Sequence, residues 1–158
     1  MLWETDRAKP AAAATIPRMA VETHPIHVET QGNTHVVDIT PLLVAKLNLA
    51  DIANGIATIF VIGSTAGITT VEFEPGLANH DLQAFFEKVA PEDGFYKHEE
   101  TWNDDNGHSH VRASLIGPSL TVPISDRQPM LGTWQQIVLI DFDTRARRRS
   151  VIVQLIGE

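Results

Sequence analysis

Cysteine is absent from the 158 residues, which excludes disulfide frameworks, thiolate metal sites and a cysteine nucleophile. Basic charge is also scarce: 12 Lys and Arg face 20 Asp and Glu, giving a formal net charge of -8. Nonspecific nucleic-acid binding relies on neutralising phosphates with a basic surface, so no nucleic-acid partner is expected. The cluster from Arg145 to Arg149 is too short to reverse this balance. Long apolar runs are missing too. The longest, Ile56 to Ile62, is interrupted by Thr58 and falls far short of the ~20 residues a bilayer span needs. The first residues carry Asp6, Arg7 and Lys9 ahead of Ala11–Ala14, which is not the basic-then-apolar order of a secretory signal. No membrane partner is expected, and the cytoplasm is the expected compartment.

What is present describes one globular domain. The hydrophobic share of 43% and charged share of 20% are ordinary for a folded protein, and the length suits a single core. Residues 1–20, with Pro10, four alanines and Pro17, lack an apolar period. They read as a flexible N-terminal extension or as residues ahead of a true start at Met19. The domain is expected over 21–158.

Alternating residues Ile26–Thr30, the turn Gln31-Gly32-Asn33 and the strand-like His35–Ile39 predict a hairpin. Thr40-Pro41 predicts a helix start with Thr as cap. Ile56–Ile62 is apolar on both faces and reads as a central strand, with Gly67–Phe73 as a second. A helix capped at Asn79-His80-Asp81 is expected to run through Leu82, Phe85, Phe86 and Val89. Further strands are expected at His108–Leu115, Ser119–Ile124, Trp134–Phe142 and Arg149–Ile156. The sum is roughly seven to nine strands and two to three helices: an α+β fold with a β-sandwich core of mixed or antiparallel strands.

Chemistry concentrates between His98 and His110. His24, His27, His35 and His80 fall at hairpin or helix-start positions and read as surface residues. In a strand, His108 and His110 would project from one face. That spacing suits two nitrogen ligands on a divalent metal, Zn²⁺ or Mg²⁺, with His98 or a carboxylate from Glu99, Glu100, Asp104 or Asp105 completing the set; hydrogen-bonded strand histidines or a phosphate site are the alternatives. The loop Trp102–Gly107, Asn106 included, places acceptor oxygens directly before the pair. Glu72, between Val71 and Phe73, is either a solvent-facing carboxylate or a general acid/base with a raised pKa. Gly63–Gly67 offers N–H groups and the Ser64 and Thr65 hydroxyls as an anion cradle, although it is not a P-loop. Trp134 reads as a core or interface residue, and Gln135 as an amide that would enter a pocket if the strand faces one.

Taken in order, several fragments resemble the YjbQ-like family. They are Gly63-Ser-Thr-Ala-Gly-Ile-Thr-Thr-Val-Glu72, Glu74-Pro-Gly-Leu77, Asp81-Leu82, Tyr96-Lys-His98, Asp105-Asn-Gly-His-Ser-His110 and Ala113–Gly117. Val122-Pro123, Leu131–Gln135, Asp141–Asp143 and Arg147–Gln154 continue the match, which spans about residue 24 to Glu158. The resemblance implies a β-sandwich that assembles as a homotrimer around a histidine-rich pocket for a metal or an oxyanion. It also implies a secondary thiamine-phosphate synthase activity, joining a pyrimidine diphosphate to a thiazole phosphate and releasing pyrophosphate. Two departures stand out. Gly63-Ser64-Thr65 replaces the His-Thr-Thr of many members, and Val71 replaces an Asn. A metal ligand is thereby missing, for which His108 is the candidate substitute.

Three functions follow as expectations. In the first, a transferase, Ser64, Thr65, Gln135 and Arg147 or Arg149 hold phosphate while Glu72, His110 and Asn106 serve the chemistry. In the second, a hydrolase, His98, His108 and His110 hold Zn²⁺ and Glu72 activates water. The third is a noncatalytic trimer that binds a metal or a small phosphorylated metabolite.

Overall fold

The alternation seen in the first strand carries through a longer element than the sequence suggests. The computed structural model of the protein describes residues 18–158. β1 (Ala20–Thr30) exposes and buries its residues in turn, with Ile26, Val28 and Thr30 inward. The extension expected over 1–20 therefore lies outside the described residues, save for its last three, of which Ala20 already opens β1.

Next come β2 (His35–Asp38), α1 (Thr40–Leu47), β3 (Gly55–Ile62) and β4 (Ala66–Val71). A single π turn, Leu77–Asp81, leads into α2 (Leu82–Val89), followed by α3 (Lys97–Trp102) and α4 (Gly107–Ile116). The chain closes with β5 (Ser119–Ser125), β6 (Gln128–Pro129), β7 (Gln136–Asp141) and β8 (Arg147–Gly157). The strands form a five-stranded sheet, β1-β8-β3-β5-β6, and a three-stranded sheet, β2-β7-β4. Every pairing is antiparallel. The expected α+β sandwich is present, with four α-helices among the described residues instead of two or three.

The expected hairpin does not form. β1 pairs over its whole length with β8, from Ala20↔Gly157 to Thr30↔Arg147, whereas β2 pairs with β7 in the other sheet. The turn between them changes sheet, and Gly32, Asn33 and Thr34 all take positive φ to make it. A partner as long as β1 satisfies more backbone groups than the short β2 does, so pairing at a distance wins over the local turn.

Two cores make three layers. Between the sheets, Ile26, Val28, Ile59, Val61, Ile68, Leu139, Val151 and Val153 pack with Leu43 and Leu47 from α1. Leu43 and Leu47 are four residues apart and so share one helix face. On the far side of the small sheet, Phe86 of α2 and Ala113 of α4 meet Val138, Ile140 and Phe142. Because β7 is covered on both faces, Ile137–Ile140 is an unbroken apolar run with no exposed member.

Three local expectations are overturned. Thr40 does not cap α1: it already lies in the helix, whose N-cap is Ile39, and its hydroxyl accepts from the Ile137 N–H at 2.8 Å. His108–Leu115 is not a strand but lies in α4: residues 107, 108, 109, 112 and 113 are buried, which is a helical spacing. A strand would have buried every second residue. The helix opens where the Asn106 carbonyl accepts from the N–H groups of Ser109 and His110. Asn79-His80-Asp81 is not a cap either. The chain is already helical there, and the Glu74 carboxylate does the capping, accepting from Gly76 N (2.7 Å) and Leu77 N (2.5 Å). No helix among the described residues is long and apolar enough to cross a membrane.

Candidate functional site

The two segments singled out from the sequence, Gly63–Gly67 and His98–His110, meet in space. Residues 63–65 turn the chain from β3 into β4. α4 lies across β4 at a distance only glycine permits: a Cβ on Gly67 would stand 2.7 Å from Ile116 Cγ2 and 2.9 Å from the Gly117 oxygen. The buried Ser109 hydroxyl ties the same helix to β7 by donating to the Phe142 carbonyl at 2.5 Å. This docking brings His110 beside Gly63 and Ser64. Between them is a cavity of about 270 Å³ whose wall also includes Ala66, Ala113, Ser114 and Pro118. Among the described residues, no carboxylate lines it.

His98, at the start of α3, packs against His110 with ring centroids 4.4 Å apart and the planes tilted by 54°. Its Nε2 is 3.5 Å from Asp104 Oδ2 but is buried without a hydrogen-bond partner. Asp104 Oδ1 and Asn106 Oδ1 are in the same condition. Buried polar atoms left unpaired usually mark a water, an ion or a ligand.

His108 is not part of this cluster. In a helix, positions two apart point nearly oppositely, about 200° around the axis. His108 is 1% exposed, and its ring packs 6.1 Å from that of Tyr96. Burial and the nearby Arg112 charge hold its pKa below the usual histidine value. The three-histidine ligand set is therefore not assembled, and His108 does not replace the ligand missing at Gly63. Among the described residues, no three His, Cys, Asp or Glu side chains converge as a metal site.

Behind the 63–65 turn lies a buried ionic network. Asp141 is fully buried and Asp143 and Arg149 are nearly so. Arg149 donates from Nε to Asp141 Oδ2 at 2.7 Å and from Nη2 to Asp141 Oδ1 at 2.5 Å, a two-pronged pairing. Nη2 also reaches Thr65 Oγ1 at 2.8 Å, and that hydroxyl donates to Asp143 Oδ2 at 2.9 Å. Thr30 donates to Asp141 Oδ2 at 2.5 Å. Arg147 pairs with Asp143 through Nε (3.0 Å) and Nη2 (3.2 Å). Burial would raise the Asp143 pKa, but the hydrogen bonds from Arg147 and Thr65 and the two arginine charges outweigh it and leave it lowered. Asp141 and Asp143 have no role in the sequence-based expectations beyond the family resemblance. Their signal is legible, however: two acids that close an apolar strand call for buried partners.

The other expected site residues scatter. Ser64 is exposed at the cavity wall, whereas Thr65 is buried and spends its hydroxyl inside the network. Arg147 is bound to Asp143. Glu72 is exposed just past β4, the solvent-facing of its two placements. Gln135 uses its amide locally, accepting from Gly132 N at 3.1 Å and donating to Thr70 Oγ1 at 3.0 Å. Trp134, at 71% exposed, is not a core residue, which leaves the interface option.

Comparison with known proteins agrees with this architecture. The family described as UPF0047 protein YjbQ-like matches residues 24–158. A UPF0047 protein of Methanocaldococcus jannaschii is 36% identical over 131 residues, 83% of this chain and 91% of that protein. One from Mycobacterium tuberculosis is 34% identical over 83% of this chain and 95% of its own length. A crystal structure of a YbjQ-like protein of unknown function from Sulfolobus solfataricus superposes with a TM-score of 0.82 at 33% identity, covering 89% of this chain and all of that one. A hypothetical protein from Aeropyrum pernix gives a TM-score of 0.79 at 31% identity, covering 87% and 99% of the two chains.

Proposed function

The chain belongs to the YjbQ-like UPF0047 family, and from that premise we propose that it binds a small phosphorylated metabolite in the cavity shared by Ser64 and His110. Its reaction in this reading is that of a secondary thiamine-phosphate synthase. The observation that carries the proposal is the meeting of the 63–65 turn with His110 around a space that no carboxylate lines among the described residues. A C–N bond to the thiazole phosphate forms as the pyrimidine's bond to diphosphate breaks, and the electron pair leaves with pyrophosphate. Ser64 donates to a phosphoryl oxygen. His110 is the only imidazole on the wall among the described residues, and it gives a proton to the departing group. Arg147 and Glu72 stand outside this scheme, because one is bound to Asp143 and the other faces solvent.

Incubating the purified protein with both thiamine precursors, with and without Mg²⁺, tests the proposal. Thiamine phosphate should form in the wild type and fall at least tenfold in His110→Ala. No product under either condition, or unchanged product in the variant, refutes it.

A second reading rests on a separate observation, the unpaired atoms of His98, Asp104 and Asn106. With His110 the neighbourhood holds two imidazoles and two oxygens, donor types that suit Zn²⁺; the side chains do not converge on one point as they stand, so binding in this reading draws them together. In this reading the protein is a metal-dependent hydrolase or a noncatalytic metal-binding trimer, and water or a neighbouring subunit completes the coordination. Calorimetry with Zn²⁺ decides it: saturable binding lost in His98→Ala supports it, and no heat in the wild type ends it.

Self-association into a homotrimer is also proposed, with the cytoplasm as the compartment. The outward face of β3 and β8 supports the trimer, with Phe60 43% and Ile62 54% exposed. Together with Thr58, Ile152 and Gln154 they edge a shallow apolar hollow of about 420 Å³. Exposed apolar patches of this kind mark interfaces.

A further inference from the structure

Gly63 leaves a gap in the cavity wall, and behind that gap lies an arginine. A Cβ built on Gly63 would have a single neighbour within 4 Å, Nη1 of Arg149 at 3.1 Å. Arg149 is 8% exposed. Its Nε and Nη2 are committed to Asp141, Thr65 and Asp143. Nη1 makes no hydrogen bond among the described residues, yet it is not among the buried atoms that lack a partner. It therefore keeps some accessible surface, and the residue it neighbours, Gly63, stands on the cavity wall.

We propose that Arg149 Nη1, uncovered by the missing side chain at Gly63, is the deep donor of an oxyanion subsite that takes one phosphoryl oxygen of the ligand. The inference rests on the cavity reading above and adds to it the ligand chemistry and the residue that selects for it.

Geometry favours phosphoryl over carboxylate. A planar carboxylate is best held by the two-pronged edge of a guanidinium, and on Arg149 that edge already holds Asp141. What remains is one nitrogen, which matches one oxygen. The other donors, the Ser64 hydroxyl and the His110 imidazole, reach the cavity from different elements. Three separated donors fit the diverging oxygens of a tetrahedral phosphoryl group. Asp141 and Asp143 balance Arg149 and Arg147, so the network fixes the guanidinium in place without drawing the ligand by net charge. At about 270 Å³ the cavity equals roughly nine water volumes at ≈30 Å³ each, enough for a phosphoryl group and a small attached body.

The probe is inorganic phosphate, titrated into full-length protein whose arginine side chains carry ¹⁵N, with acetate as the parallel arm. The Arg149 Nη resonances should shift saturably with phosphate and those of Arg147 should not, and acetate should bind at least tenfold more weakly. Gly63→Ala should weaken phosphate at least tenfold, because its Cβ, 3.1 Å from Nη1, would crowd the oxygen's approach to that nitrogen. Gly63 has φ +133°, so the variant's fold is checked by its amide spectrum; the wild-type titration decides alone if the variant does not fold. Equal affinity for both probes, saturation by acetate alone, no saturable shift, or an unweakened folded Gly63→Ala each overturn the inference. If phosphate binds as stated while the precursors give no product, the subsite stands and the synthase reading fails. If product forms and phosphate leaves Arg149 unshifted, the reverse holds.

Discussion

Replacing Asp141 with asparagine removes a negative charge from a fully buried position. In the native protein this carboxylate accepts from Arg149 Nε (2.7 Å), Arg149 Nη2 (2.5 Å), Thr30 Oγ1 (2.5 Å) and the Asp143 N–H (3.0 Å). The asparagine amide keeps one oxygen but turns an NH₂ toward groups that are themselves donors. Arg149 is left with Asp143 Oδ2 at 3.4 Å as its nearest carboxylate, and Asp143 is already shared with Arg147. Breaking a buried pair by removing one partner costs about 3–5 kcal/mol; the retained oxygen places Asp141→Asn near the lower end, about 3 kcal/mol. That is a large part of the ~5–15 kcal/mol by which domains are stable. At ~2–4 °C per kcal/mol for a chain of this size, Tm should fall by about 6–12 °C. Urea unfolding followed by circular dichroism at pH 7 measures it. A loss under ~1 kcal/mol, the worth of an exposed pair, would refute the claim that this network is a buried, mutually dependent unit. The double variant Asp141→Leu/Arg149→Met should recover much of the loss, since buried pairs can be replaced by apolar side chains at little cost, yet it should abolish phosphate binding.

Two further outcomes follow from particular residues. His108 has its pKa lowered by burial and by Arg112, so the unfolded chain takes up its proton first as pH falls. The stability associated with neutral His108 is complete above the unfolded value of ~6.5 and is lost as pH falls toward the folded value. His108→Gln should flatten the stability profile just below pH 6.5; an unchanged acid slope would show that this histidine is not the group responsible. If the proposed trimer forms through the outer face of the five-stranded sheet, the wild type should sediment as a trimer in sedimentation velocity and Phe60→Glu as a folded monomer. A variant that still assembles would rule out that face.

Much of the fold is legible in local patterns. Ile26–Thr30 alternates because one face is buried, Ala57, Ile59 and Val61 are the inward face of mid-sheet β3, and Leu43 and Leu47 mark the inward stripe of α1; the apolar outer face of β3, Ile56, Phe60 and Ile62, stays exposed. The histidine segment is legible as a place but not as a geometry. His108-Ser109-His110 fits either period over so few residues, and the deciding signal, burial of Ser109, Arg112 and Ala113 together, depends on α4 lying against the small sheet. The partnership of Arg149 with Asp141 is hidden for a similar reason. The residues are eight apart, and only the turn from β7 back into β8 sets them face to face.

The amino-acid sequence by itself determined the class: a cysteine-free acidic α+β domain of the YjbQ-like family, with Gly63–Thr65 and His98–His110 as its candidate site segments. Composition and periodicity are local properties, and they survive whatever the chain does at long range. Tertiary structure alone decided which of those residues meet. It packed His98 against His110, turned His108 away toward Tyr96, sent β1 to β8 instead of β2, and placed Arg149 beside Gly63. Each of these contacts joins residues whose proximity no short pattern encodes, because it is set by which distant surfaces bury the most backbone and apolar area together.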